Sequence, residues 1–237
     1  MNHDTTQPAV RPTRGQPPPS RMERLVTSGL ILLAVIPVLA GMVRVGQLTV
    51  GLDTTPVTPE NARFFASPLP VILHILGSTV YALLGAFQFT PSFRLRYPRW
   101  HRRAGWLLVP AGLVAALSGL WMAHFYPWPA GDGELLYAMR LIVGLMMTLS
   151  LIQAVVAVRQ RRFPQHGAWM VRAYALGMGA GTQVLTQIIW MVLVGTSGEF
   201  ARNMVMGSGW LINLLVAEWI ISRRLTNPQR RAKAAST

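Results

Sequence analysis

Two histidines sit in the most distinctive stretches of the chain. His101 lies in YPRWHRRAGW and His166 in FPQHGAWMVR, each within three residues of an aromatic-Pro step and each followed by a tryptophan, Trp106 or Trp169, as the sequence turns apolar. Neutral imidazole is a good axial ligand for haem iron, and a macrocycle between two membrane helices needs small residues beside the ligand. At about 100° per residue, His101, Gly105, Leu108, Gly112, Ala115 and Gly119 share one helix face, and His166, Met170, Ala173, Gly177 and Gly181 share another. The chemistry this pattern points to is a b-type haem held by His101 and His166. The same glycines also suit close helix packing, Gly177 and Gly181 forming a GxxxG step, and histidines beside arginines suit lipid headgroups.

A second set is polar. His74, Ser78, Tyr81, Gly85 and Gln88 fall on one stripe of a single helix, and a polar stripe on a membrane helix belongs toward the bundle interior. With Gln183 and Gln187 it could wall a solute or proton path, for which a histidine titrating near neutral pH is suited. The sequence displays no clear inverted repeat, and none of its spans reads as broken by Gly or Pro, the features on which transporter sites are commonly built. His74 with His124 would make a second haem site. His124 stands roughly 34 Å of helix from His101 but about 140° around it, so one helix would need ligands on two faces. Arg172 and Glu218, each about one turn inside the membrane from the same side, are expected to pair, because an isolated charge there costs several kcal/mol unless it snorkels.

The elements that must position these residues are membrane helices. The 237 residues are 51% hydrophobic and 13% charged, with mean hydropathy +0.36, too apolar for a soluble domain. Apolar runs of about 20 residues, enough to cross the hydrocarbon core, occur near 25–46, 69–90, 104–125, 135–158, 169–194 and 204–222. The expected fold is therefore an all-α bundle of six transmembrane helices over 23–225. A disordered, proline-rich tail precedes it at 1–22 and a basic tail follows at 226–237. The long 47–68 loop carries Pro56, Pro59 and Pro68 as breakers, with a short amphipathic piece around 61–66.

The net charge of +14 alternates along the chain. Arginines crowd the first tail, the 94–103 and 159–162 loops and the last tail. The other loops carry Asp53, Glu60, Asp132, Glu134 and Glu199 against Arg63 and Arg202. The positive-inside rule then puts both termini in the cytoplasm, with the basic loops touching anionic lipid headgroups and no role in nucleic-acid binding. Without cysteine, disulfides, thiolate metal sites and iron–sulfur clusters are excluded. No P-loop, GxSxG or HExxH motif supports phosphoryl transfer or hydrolysis.

His74 with the GAFQF run ending at Phe89, HRRAGW from His101 to Trp106, and HGAWMVRAYAL from His166 to Leu176 resemble a bacterial family of predicted membrane proteins, domain of unknown function 2306. The likeness covers about residues 70–190. Its signature positions look like His74, Gln88, His101, Arg102, Gly105, His166, Trp169, Met170 and Arg172, while His124 and Glu218 fall outside its motifs. The family lends topology and no activity. The histidine-bearing bundle is also loosely similar in architecture to diheme membrane cytochromes of the b561 type. The reading is thus a multi-pass bacterial inner-membrane protein. Haem or quinone-linked electron transfer is its leading chemistry, and a proton-linked or small-solute transporter and a non-catalytic scaffold are the alternatives.

Overall fold

The computed structural model describes residues 18–52, 54–196 and 198–226. Most of both predicted tails lies outside them. The described residues form helices α1 (Arg21–Thr49), α2 (Ala62–Ala66), α3 (Pro68–Gln88), α4 (Pro91–Arg96), α5 (Pro98–Phe125), α6 (Glu134–Arg159), α7 (Phe163–Gly177), α8 (Gly179–Leu193) and α9 (Glu199–Thr226). Helices α1, α3, α5, α6 and α9 are each long and apolar enough to cross a membrane, and α7 with α8 make a sixth, bent span. The bundle has a basic end, where α4 and the α6–α7 turn carry their arginines, and a far end formed by α2 and the loops after α5 and α8.

Several helices begin earlier than hydropathy implies, for reasons written in their first turns. The chain from Ser20 to Arg24 was expected to belong to the tail and to the loop before the first span. Instead Ser20 and Glu23 form a capping box, each side chain bonding the other's backbone N–H, and α1 starts at Arg21. Glu23 also accepts from the Ser92 N–H at 3.1 Å, tying this end of α1 to α4. Proline occupies the first turn of α3, α4, α5 and α7, where its missing N–H is no loss and its φ is already helical. Consequently α5 begins six residues before 104 and α7 six before 169, and both His101 and His166 lie in first turns rather than in loops.

The one departure in kind concerns the fifth span. Residues 169–194 were expected to form one continuous helix; instead α7 and α8 meet at 44° with Met178 between them. A break inside a bundle strips backbone carbonyls of their helical donors. The Ala175 carbonyl, whose regular partner would be the N–H of Gly179 beyond the bend, accepts instead from Asn213 Nδ2 of α9 at 3.0 Å. Thr182 Oγ1 donates in turn to Asn213 Oδ1 at 2.7 Å. Closeness permits this: a Cβ on Gly179 would meet the Trp210 ring, and one on Gly209 would meet Gln183 at 2.7 Å.

The main core surrounds Tyr81, Leu108, Leu151, Ala173, Tyr174 and Met178, drawn from α3, α5, α6, α7 and the bend. Large apolar side chains such as Leu32, Leu39, Ile142, Leu149, Ile189, Met191 and Leu215 remain exposed around the bundle, as they would in contact with lipid. Asn213→Leu should destabilise the protein by about 1–3 kcal/mol, since it leaves the Ala175 carbonyl unpaired. Adding Thr182→Val to it should change little further. Unfolding midpoints of detergent-solubilised variants check both expectations.

Candidate functional site

A cavity of about 460 Å³ runs down the middle of the far half of the bundle. Its mouth is formed by Arg63 and Phe64 of α2, the Pro127-Trp128-Pro129 loop and Arg140 of α6. Its floor is Tyr81, Met147, Gly177 and Met178, at the break of the fifth span. Between them lie His74 and Ser78 on one wall, Ala34, Pro37 and Val38 of α1 on another, and Gly181, Gln183 and Trp210 on the α8–α9 side. Pockets of this size, apolar with a few converging polar groups, are the usual form of small-molecule sites.

Each polar group is fixed by a neighbouring helix. His74 Nδ1 lies 2.8 Å from the Ala115 carbonyl of α5. An acceptor there requires the proton on Nδ1, leaving Nε2 with the lone pair. Gly119 makes room for the ring, since a Cβ there would lie 3.2 Å from His74 Cε1. Tyr81 is 2% exposed and wedges between two glycines, with Cβ atoms on Gly112 and Gly177 coming within 2.7 and 2.9 Å of its ring. Its hydroxyl makes no hydrogen bond within the protein, an uncommon state for a buried donor. Gln183 is buried and donates through Nε2 to the Met206 carbonyl at 3.0 Å.

The mouth is cationic. Asp132 ion-pairs with both Arg140, at 2.7 Å, and Arg202, at 3.0 Å. Arg63 donates to the Pro127 carbonyl at 3.1 Å while its buried Nε has no partner, and both Arg63 and Arg44 stack on Phe64. Burial lowers the Arg63 pKa below the ordinary arginine value; the positive charges of Arg140 and Arg44 push the same way and Asp132 opposes them. Sequence reasoning did not single out Arg63 or Arg140 as site residues. Their signal was available, because they are cations at the end where the charge pattern otherwise disfavours them.

Of the polar set expected to act together, His74, Ser78, Tyr81 and Gln183 line this cavity and Gln88 and Gln187 do not. Gln88 sits at the basic end, where its Nε2 faces the His101 carbonyl at 3.4 Å. Gln187 is on the outer surface of α8. His101 of α5 and His166 of α7 lie at the basic end, remote from the cavity, on helices that both pack against α6 and α3. His166 Nδ1 bonds the Ala154 carbonyl at 2.9 Å, and His101 Nδ1 is buried without a partner. Small-residue faces expected to leave room for a macrocycle are largely filled by protein: Gly112 and Gly177 by Tyr81, Gly119 by His74, and Gly181 by Leu33. Gly105 and Gly167, beside the two histidines, face open space. His124 is exposed and bonds Tyr137 Oη at 2.9 Å, so His74 and His124 are not brought together. No group of three or more metal-ligating side chains occurs among the described residues.

Arg172 and Glu218 meet at the basic end, Arg172 Nη2 donating to Glu218 Oε2 at 2.9 Å, with the guanidinium 4.7 Å from the centre of the Trp169 ring. Their side chains are 27% and 51% exposed on the outside of the bundle.

A family model described as "Predicted membrane protein (DUF2306)" matches residues 71–221, and the chain belongs to that family. The match runs past the motifs of α3, α5 and α7 to include α9 and Glu218. No curated protein and no solved structure matches the chain.

Glu218→Gln alone should lower stability, and Arg172→Gln combined with it should recover much of the loss. The coupling expected for a partly exposed pair is roughly 0.5–2 kcal/mol. A double-mutant cycle on unfolding midpoints measures it, and additive effects would show that the two side chains act separately.

Proposed function

We propose that the protein is a small-solute transporter of the bacterial cytoplasmic membrane, with the far-half cavity as its substrate site. The observation that carries this reading is the break of the fifth span at the cavity floor. Transporter sites form at discontinuous helices near the bilayer midplane, because irregular backbone is tolerated there only against protein or a polar cavity. His74, Ser78, Tyr81 and Gln183 supply the converging polar groups. By the positive-inside rule the basic end is cytoplasmic, against anionic headgroups, so the cavity mouth faces outward.

The chain contains no cysteine, which makes access directly testable. Ser78→Cys in native membranes should react with an impermeant maleimide added to right-side-out vesicles and also, in a fraction of molecules, to inverted vesicles. Reaction from one face alone would identify a fixed pocket and exclude transport.

A second reading is favoured by the histidines of the basic end. Neutral imidazole with Nδ1–H bonded to a carbonyl presents Nε2 as a ligand, as His166 does, and open ground lies beside it at Gly167 and beside His101 at Gly105. Haem b held by His101 and His166, exchanging electrons with a quinone or another redox partner, fits those features. Both residues would then act as axial ligands, with His74 left to the cavity. A reduced-minus-oxidised spectrum of protein from haem-sufficient cells should contain sharp alpha and beta bands that His101→Ala and His166→Ala remove. A colourless protein would eliminate this reading and leave the cavity reading untouched.

A further inference from the structure

We propose that the cavity takes a single-chain amphiphilic anion, its acidic head between Arg63 and Arg140 and its hydrocarbon body along the channel toward Met147. The proposal rests on the cavity being the substrate site and names the substrate class it is built for.

The charge of the wall selects the head. Arg63 and Arg140 are the charged residues that line the cavity, and no carboxylate lines it. Nearby acids are already engaged or turned elsewhere. Asp132 is divided between Arg140 and Arg202, Glu199 lies against Gly133, and Glu60 is held by Thr58. At this end Arg44, Arg63, Arg140 and Arg202 stand with Glu60, Asp132, Glu134 and Glu199 among the described residues, so the positive charge belongs to the cavity lining and not to the end as a whole. Arg63 ion-pairs with no carboxylate among the described residues, and its Nε is buried and unpartnered. A half-buried guanidinium whose Nε is buried and unused, beside a second arginine, calls for an anion that brings acceptor oxygens.

The remaining wall selects the body. Below the arginines the lining is chiefly apolar, from Val38, Ile75, Ala116, Leu120, Val143 and Met147. Arg140 and Met147 stand two helical turns apart on α6, roughly 10 Å of depth. A small hydrophilic anion would leave that surface wet, while a two-chain lipid exceeds about 460 Å³ of room. The lone Tyr81 hydroxyl at the floor would meet the far end of the ligand, so chain length and a terminal polar group should both affect affinity.

The test is equilibrium binding to the purified full-length protein in detergent, with protein-free micelles as blank. Radiolabelled decanoate is the probe, and decanol and decyltrimethylammonium are neutral and cationic controls. Decanoate should bind at least tenfold more tightly than either control, and Arg63→Gln should remove most of that preference. Decyl phosphate, run in parallel, separates a carboxylate site from one for phosphate monoesters; preference for either anion supports the class. Arg140→Gln leaves Asp132 paired with Arg202 alone, so Arg140→Gln with Asp132→Asn is run beside it to test that arginine with both members of its ion pair neutralised. Equal affinity for decanoate and decanol, or unchanged decanoate binding in Arg63→Gln, would overturn the proposal. Loss of charge selectivity leaves two-sided access of Ser78→Cys standing, and one-sided access leaves anion binding standing, so the two readings fail separately.

Discussion

The bond from Asn213 to the Ala175 carbonyl is the constraint from which the rest of the arrangement follows. A membrane helix satisfies its backbone internally, and a bend of 44° forfeits part of that satisfaction in surroundings without bulk water. Here α9 supplies the missing donor, and Thr182 on the far side of the bend completes the link. For Asn213 to reach, α9 must approach α8 closely, which the pairing of Gly179 with Trp210 and of Gly209 with Gln183 allows. Once α8 leans away with α9, α7 no longer continues its line. The gap left between α3, α5, α6 and the bend is the cavity.

Small residues in the bundle serve rings more than backbones. Tyr81 occupies the space that Gly112 and Gly177 provide, Tyr174 that of Gly85, and His74 that of Gly119. Three of these four glycines lie opposite an aromatic side chain of a different helix, and the fourth opposite a histidine. Close packing by GxxxG is thus only part of their use: Gly177 and Gly181 form such a step, but Gly177 receives Tyr81 and Gly181 receives α1 at Leu33. Lost contacts in a void are forfeited outright, so rings that fill these notches also hold the polar atoms of the cavity in fixed positions.

How far the sequence foretold this varies with the range of the physics involved. The six apolar spans were legible because bilayer thickness imposes their length on local composition. Helix starts were legible in principle, through Ser20 with Glu23 and through Pro98 and Pro164, but hydropathy alone misses polar first turns. The bend was not legible. Gly177-Met178-Gly179 reads as well for packing as for a break, and what decides between them is Asn213, on another helix. Likewise the stripe from His74 to Tyr81 pointed inward on periodicity, whereas Gln88 on the same stripe lies too far along α3 to share the cavity. Arg63 escaped notice because a cation in a short loop helix looks solvated until the loop after α5 brings the Pro127 carbonyl against it.

The break also bears on how the cavity could be reached from the basic end. Below Tyr81 the bundle is closed by Tyr174, Phe89, Leu108 and Leu151, with Tyr174 Oη bonded to the Ala82 carbonyl at 2.7 Å and its ring 5.7 Å from that of Tyr81. Tyr174 belongs to α7, whereas Gln183 and Thr186 bind α8 to the Met206 and Val205 carbonyls of α9. The two halves of the span share α9, through Asn213 and the Arg172–Glu218 pair, but differ in their other neighbours, α6 and α3 for α7 and α1 for α8. Rotation about Met178 would shift the plug relative to the polar wall while leaving the α8–α9 contacts in place. A continuous helix would have to move both together. In the transport reading, the bend is thus what lets the floor open without dismantling the mouth, and the bonds of Asn213 keep the hinge from straightening.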